Sequence, residues 1–356
     1  MLNESEKTKE IERRKSAGHL KLPFPKEDEV IRGFFSTEHR LYLCSQYGIY
    51  QAITSDDIDP DVTQANVPWV INRYLSYGTR RKLFAFIIGL ESDISKVVIS
   101  NQDVNKTIRD KLLPTLVAAG QIEYAKDVYK NEIEQHSEFL DGLMLKDIKE
   151  GSGLQIPTID NFEVCFNLFF LSIKRYLIGL FTVCEWACGL PEGKGAKLDR
   201  LINRIESNKI SKKMGDLSIL NRHVDFVRFC NEVRNAYEHP SASTYVELRN
   251  VSFVPPNGLS KPEFRLIKNE NSKEAQWMDF ELQMTHFYDV LCSLTRDVFI
   301  VNAWARGDTR FTNWRVLPIK NTNINVDMPV DCKFESYSVS VADNFMPPHP
   351  KSQPAP

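Results

Sequence analysis

One helix has to organise the rest of this chain. Asn161–Gly189 is a long apolar run closed by Gly189-Leu190-Pro191, and it reads as a single helix. Its central part, Val164–Cys184, is apolar enough to raise the question of a membrane span. Lys174 and Arg175 stand at its midpoint, and each would cost about 3 kcal/mol at a bilayer centre. A buried amphipathic helix in a protein core is the better reading, and no membrane partner is expected. The N-terminal stretch MLNESEKTKEIERRK is charged and lacks the apolar region of a signal peptide.

At 356 residues, the chain can hold two domains and an ample core. With 42% hydrophobic and 26% charged residues it has the make-up of a soluble globular protein. The net charge of −2 supplies no global attraction to nucleic acid, so any polyanion site must be a local basic patch. Seven cysteines, at 44, 165, 184, 188, 230, 292 and 332, are odd in number and form no Cys-x-x-Cys. They read as reduced thiols in a cytoplasmic protein. Cys184 and Cys188 share one helical face, where core packing is a better account than redox or metal chemistry.

The remaining chain divides by composition. Residues 1–26 read as a mobile charged arm. Residues 27–150 read as an N-terminal helical domain of unassigned role, with helices expected over Arg32–Ala52, Val70–Ser100, Asn105–Ala119 and Gln121–Ile148. The Gly-containing loop Lys149–Asp160 marks a boundary. After the long apolar helix, Lys197–Ser207 reads as a short helix. Asp216–His239 reads as a longer one, with Leu220, Val224, Val227, Cys230, Val233 and Ala236 on one stripe. Tyr245–Val254 and Glu263–Lys268 read as strands of a hairpin joined through Pro255-Pro256-Asn257-Gly258. Glu274–Ala305 is again helical. Residues 306–356 form a C-terminal extension with short β-like pieces, such as Phe334–Val341, and a Pro-rich end read as partly disordered. The expected fold is mainly α: an up-and-down helical bundle over residues 160–305 with a β-hairpin insert at about 245–268, preceded by the helical domain.

Arg234-Asn235-Ala236-Tyr237-Glu238-His239, followed by Pro240, closes the Asp216–His239 helix. The bare Arg-x4-His pattern arises about 0.4 times by chance in a chain of this composition, so its letters decide little. Arg14-Lys15-Ser16-Ala17-Gly18-His19 matches as well and is set aside because it lies in the charged arm. Position distinguishes the other match. Asn235 and His239, four apart, share a helical face, and Pro240 turns His239 away from helical geometry, so that Arg234 can converge with them. A helix C-terminus favours imidazolium and suits a histidine for proton exchange near neutral pH. RNA carries its own nucleophile, the 2′-OH. Cleavage then needs proton transfer and positive charge beside phosphorus, which His239 and Arg234 can supply while Asn235 positions the phosphate or the imidazole. One histidine supplies one proton-transfer group, and two motifs face to face in a dimer would supply two. The bland alternative is a capping histidine beside an arginine that pairs with Glu238 or Glu232.

On these residues, the chain from 160 to 305 resembles the HEPN (higher eukaryotes and prokaryotes nucleotide-binding) domain family. Those domains are helical bundles whose penultimate major helix ends in Arg-x(4–6)-His, often with a polar residue directly after the Arg. Arg234, Asn235 and His239 match that motif in the expected helix, and a hairpin before the last helix also occurs in the family. Where some members carry a Tyr two residues after the His, this chain has Ser241. The resemblance implies a homodimer with both motifs at one interface. It implies metal-independent endoribonuclease activity leaving a 2′,3′-cyclic phosphate, without a cofactor, often in a bacterial toxin–antitoxin or phage-defence setting with an antitoxin or defence-system partner. Some members only bind RNA or nucleotides. A helical interaction protein is the third reading of the same residues.

From Lys194 to His239, ten Lys/Arg face six Asp/Glu, which fits a backbone-binding strip and a solvated helix surface equally well. The loop Gly189–Gly195 lacks the Gly-Lys-Ser/Thr of a phosphate cradle. His136, His223 and His286 have no partner at ligand spacing, so no metal is expected. Glu185 reads as a satisfied carboxylate, with a second reading in which it orients His239. Trp277, Trp304 and Trp314 read as aromatic core, with base stacking as the alternative.

Overall fold

The computed structural model describes residues 2–16, 26–37, 40–81, 83–84, 86–88, 102–136, 156–193, 195–208, 217–254, 258–268, 275–306, 314–318 and 337–341. The mainly-α expectation fails over the first third of the chain. Helix α1 (Glu4–Ser16) is followed by a four-stranded antiparallel sheet, β1 (Ile31–Ser36), β2 (Leu41–Ser45), β3 (Ile49–Ile53) and β4 (Val70–Leu75), in the order β1-β2-β3-β4. A short helix, α2 (Ser55–Ile58), lies between β3 and β4. The helix expected over Arg32–Ala52 is instead a pair of hairpins. Leu41↔Ala52 to Cys44↔Ile49 are in register, and the turn closes with Ser45 N–H donating to the Gly48 carbonyl at 2.8 Å. The physical reason is local. Aromatic and branched residues flank Ser45-Gln46-Tyr47-Gly48, and a turn with glycine there separates two short β-runs.

The described part of the charged arm, residues 2–16, is docked rather than free. Asn3 and Glu6 cap α1 reciprocally, at 3.0 and 2.9 Å. Arg14, with a side chain only 3% exposed, is held by Glu10, Asp56 and Asp59. The Arg14 of the discarded motif match is thus a buried anchor, and His19 lies outside the described residues. A high density of charge does not prevent docking when the carboxylates converge on one guanidinium.

Helix α3 (Gln102–Gln135) runs unbroken where two helices were expected, and it contains Pro114. Gly120 does not end it. A Cβ there would lie 1.8 Å from the Tyr77 ring, so the missing side chain lets the segment after β4 pack on the helix. The other bundle elements are α4 (Phe162–Ala187), α5 (Leu198–Glu206), α6 (Ser218–Asn221), α7 (Val224–Glu238) and α8 (Phe280–Arg306). Helix α4 is the apolar run of the sequence. It is long and apolar enough to cross a membrane, yet 61% of its most apolar window is buried inside the protein, as in the core helix of a soluble protein. It packs along α3, α7 and α8. Between α3 and α4, a Cβ on Gly179 would meet Thr115 Oγ1 at 2.3 Å. Phe166, Phe169, Phe170, Phe264, Phe280 and Phe287 form one connected ring cluster at centroid separations of 4.8–6.3 Å.

The expected Asp216–His239 helix is interrupted at Arg222-His223, between α6 and α7. His223 Nε2 lies 2.7 Å from Asp297 Oδ2 on α8, and Arg222 reaches the same oxygen, so one buried carboxylate gathers the junction. Strand β5 (Thr244–Arg249) pairs with β8 (Glu263–Lys268) from Thr244↔Lys268 to Arg249↔Glu263. β6 (Ser252–Val254) and β7 (Gly258–Ser260) continue the ribbon, while β9 (Met278–Asp279) adds a third strand on β8 and leads into α8. Strands β10 (Trp314–Pro318) and β11 (Tyr337–Val341) pair separately. The chain is therefore mixed α and β, with small antiparallel sheets before, between and after the helices, rather than an up-and-down bundle with one insert. The Lys149–Gln155 part of the boundary loop, the Pro255-Pro256-Asn257 turn and the Pro-rich end lie outside the described residues.

Candidate functional site

Helix α7 buries Val227, Cys230, Val233 and Ala236, with Leu220 of α6 in line and Val224 partly covered, as the stripe predicts. Burying Val233 and Ala236 fixes the rotation of the last turn, and Arg234, Asn235, Tyr237 and Glu238 fall on its flanks. Tyr237 adds a side anchor. Its ring packs on Phe166 at 5.3 Å, and its hydroxyl donates to Glu163 Oε1 on α4 at 2.8 Å. Burial of the ring, and next the Glu163 carboxylate, push the phenol up to about 12.

His239 caps the helix with φ −131° and ψ 62°, outside helical space, as Pro240 requires. Its N–H donates to the Asn235 carbonyl at 2.8 Å. The imidazole is 75% exposed. Arg234 is much less so, its side chain being 17% exposed. Its Nη1 donates to Asn235 Oδ1 at 3.1 Å, and its Nη2 pairs with Glu238. Its Nε is buried without a partner among the described residues, and burial lowers the pKa of the group. Glu238 Oε2 is also 3.9 Å from His239 Nε2, so one carboxylate lies between the guanidinium and the imidazole.

The structure thus brings together all three motif residues, in the ion-paired arrangement that the bland reading describes. It leaves the imidazole open to solvent. Two residues that the motif does not include belong to the same place. Glu238 was named in the sequence only as an arginine partner. Lys174 on α4 has its pKa lowered by partial burial and, next, by Arg234. Its signal was present in the chain as a cation in the middle of an apolar run. The two cations feel each other's charge and are both partly desolvated, so an oxyanion reaching either gains more than it would in water.

Beside this cluster α4 presents an uncovered face. Val164 is 62% exposed, Ile178 is exposed and Leu171 half-buried, with Asn167 and Arg175 between them. At 100° per residue these positions lie on one stripe, next to the row of Glu163 and Lys174 that flanks α7.

Several other candidates are accounted for elsewhere. Glu185 is buried, pairs with Arg204 and accepts from Gly193 N–H at 2.6 Å, so both its oxygens are engaged away from His239. Cys184 and Cys188 are buried together, and their mutual contact followed by burial pushes the Cys184 thiol well up, which fits packing. Trp277 is flanked by Arg249 and Arg265 at 4.2 and 4.5 Å from its ring, and Trp304 packs on the core. No group of three or more metal-ligating side chains occurs among the described residues. Of the basic strip, Lys194, Lys209, Lys212 and Lys213 lie outside the described residues. The clefts lined by Leu190, Asn203, Arg204, Ser207 and Asn208 and by Lys26, Tyr47, Arg73 and Arg80 include neither Arg234 nor His239. Comparison with protein-family models, with curated proteins and with solved structures gave no match.

Proposed function

We propose that this chain is a metal-independent endoribonuclease whose site is the C-terminal turn of α7, acting as a homodimer on cytoplasmic RNA. The observation that carries this reading is the pairing of an exposed imidazole with a partly desolvated, incompletely satisfied guanidinium and a second cation, Lys174. Arg234 and Lys174 receive the scissile phosphate. His239 moves the proton of the 2′-OH or of the leaving 5′-oxygen, and Asn235 holds the guanidinium in place. A phosphate entering the site competes with Glu238 for Arg234. The displaced carboxylate then needs only a small shift to accept from His239. The second proton-transfer group comes from the other copy, and the uncovered apolar stripe of α4 beside the motif supports association there. The motif residues and their place at a helix end support the likeness to HEPN ribonucleases, and with it a toxin or phage-defence setting with an antitoxin-like partner.

The second reading is a non-catalytic RNA- or nucleotide-binding protein, favoured by the Arg234–Glu238 pair already formed in the single chain. One experiment separates them. Purified protein is incubated with total cellular RNA in EDTA, product ends are analysed, and His239→Ala and Arg234→Ala are run in parallel. Ribonuclease action yields 2′,3′-cyclic phosphate ends that vanish in both variants while circular dichroism is unchanged. Equal cleavage by His239→Ala ends the proposal, and RNA binding without cleavage establishes the second reading.

A further inference from the structure

A cleft of about 360 Å³ lies at the edge of the N-terminal sheet, bounded by Lys26, Gln46, Tyr47, Arg73 and the segment Ser76–Arg81. We infer that it is a binding site for a phosphate ester, held by Lys26, Arg73 and Arg80. This inference stands independently of the ribonuclease reading.

The three cations are gathered around one residue. Lys26 Nζ lies 3.9 Å from the centroid of the Tyr47 ring, and Arg80 Cζ lies 4.5 Å from it. Arg73 Nη2 donates to the Tyr47 carbonyl at 3.1 Å. Among the described residues none of the three has an ion-pair partner, whereas Arg81 at the rim is engaged by Asp127. The opposing carboxylate is Asp28, which accepts from the Tyr47 hydroxyl and is held below the usual range first by that bond and then by Arg80 and Lys26. Glu29, buried behind the turn and bonded by the Ser45 and Tyr50 hydroxyls, is the second acidic group here, so the three cations still outnumber the carboxylates.

The backbone beneath them is locked. Gln46 Oε1 accepts from Val30 N–H at 2.9 Å, and its Nε2 donates to the Asp28 carbonyl, tying the Lys26 segment to the β2–β3 turn. Thr79 and Arg80 N–H donate to the Ser45 and Gln46 carbonyls at 3.0 and 3.1 Å. Gly78 permits that approach, since a Cβ there would lie 2.1 Å from the Ser45 oxygen and 2.7 Å from Gly48 N. Exposed cations usually sit on independent, solvated side chains. Here three chain segments are pinned around Tyr47, so that the cationic side chains of Lys26, Arg73 and Arg80 line one cleft and an oxyanion entering it meets several donors. The volume is at the lower end of small-ligand sites and is sufficient for a mononucleotide or one nucleotide of a strand. The Tyr47 ring already serves two cations and both ends of the Gln46 amide are tied to backbone, so the cleft offers cations for phosphate rather than a stacking face for a base.

The test uses the full chain in the Arg234→Ala background, which removes the α7 cation, and three probes at low salt. These are ATP, inorganic pyrophosphate and a 5′-labelled 2′-O-methyl RNA 12-mer that cannot be cleaved. Saturable binding is expected, weakened about tenfold in Arg73→Ala/Arg80→Ala. Lys26→Gln/Arg80→Gln, which alters only exposed side chains, should show the same direction with an unchanged thermal melt. ATP saturating more tightly than the 12-mer identifies a small phosphorylated ligand, and the reverse with a strong salt dependence identifies an RNA backbone. No saturable binding of any probe, or equal affinity in Lys26→Gln/Arg80→Gln, overturns the inference. Cleavage by the wild-type protein plays no part in the readout, so the two readings fail separately.

Discussion

Gly179→Ala is the substitution whose sign the packing of α3 on α4 decides. In an isolated helix interior, Gly to Ala stabilises by about 1 kcal/mol. Here the new methyl would stand 2.3 Å from Thr115 Oγ1, 3.2 Å from Thr115 N and 3.4 Å from its Cα. Thr115 is fully buried in α3, and its branched side chain has few alternative rotamers there. The helices must separate locally, an overpacking cost of about 1–3 kcal/mol, so Gly179→Ala should destabilise by roughly 1 kcal/mol net. Thr115→Ala removes the 2.3 Å contact together with a buried hydroxyl that has no hydrogen-bond partner among the described residues. In that background Gly179→Ala keeps the 3.2 and 3.4 Å approaches to the residue 115 backbone, and the helix-propensity gain emerges. The double-mutant cycle should therefore show a coupling of roughly 1–2 kcal/mol, read from guanidinium midpoints at constant m. Stabilisation by Gly179→Ala in the otherwise unaltered chain would refute this account, as would an equal shift in the two backgrounds.

Two further outcomes follow from other ion pairs. Glu238→Gln removes the carboxylate that competes with phosphate for Arg234. RNA should bind several-fold tighter, about 1 kcal/mol for a partly exposed pair, while cleavage slows because His239 loses its neighbour; fluorescence anisotropy and initial rates measure the two effects. The docking of α1 should weaken in acid. Glu10 is held down to about 2, first by Arg13 and also by Arg14, so its contribution is complete above the ordinary carboxylate range and is lost as pH falls through about 2. Asp59 is lowered in the same sense by Thr63 and Gln64 N–H and by Arg14. The protection of amides in residues 4–16, taken relative to their intrinsic exchange rates, should fall as pH drops through about 2 and, for Arg14→Ala, already at neutral pH.

The helical core was legible because its elements are long and their faces sharply contrasted. Of the apolar residues spaced as one stripe on α8, Phe280, Met284, Phe287, Leu291, Leu294 and Val298 are buried and Val290 is half-buried, and α4 occupies nearly the whole of its apolar run. The N-terminal sheet was not legible. Strands of five or six residues give too few periods to separate two-fold from helical spacing, and Phe35, Leu41, Tyr42 and Ile49 fit a sparse helix as readily as two hairpins. Pairing is a non-local property: Ile49 finds Leu75 across 26 positions, and nothing within either segment announces the other. Glycine misled for a related reason. Gly120 reads as a helix end in the sequence, but its role is the close approach of Tyr77, again a partner distant in the chain.

At the candidate site the same division holds between what is local and what is not. Arg234, Asn235 and His239 lie within six residues, so a helix rule and one proline suffice to place them together. Lys174 comes from 60 positions earlier and joins them only because α4 and α7 pack side by side. Its midpoint position in an apolar helix was first an argument against a membrane. In the fold it is the reason a second cation lies within electrostatic reach of Arg234, because a helix buried on its other faces can keep a lysine only on the flank where it meets solvent or an ion site. The charges that make this turn of α7 a candidate phosphate site and the residues that make α4 a core helix are therefore parts of one arrangement. A change that rotates α4, such as a bulky side chain at Gly179, should disturb Lys174 and Arg234 together rather than either one alone.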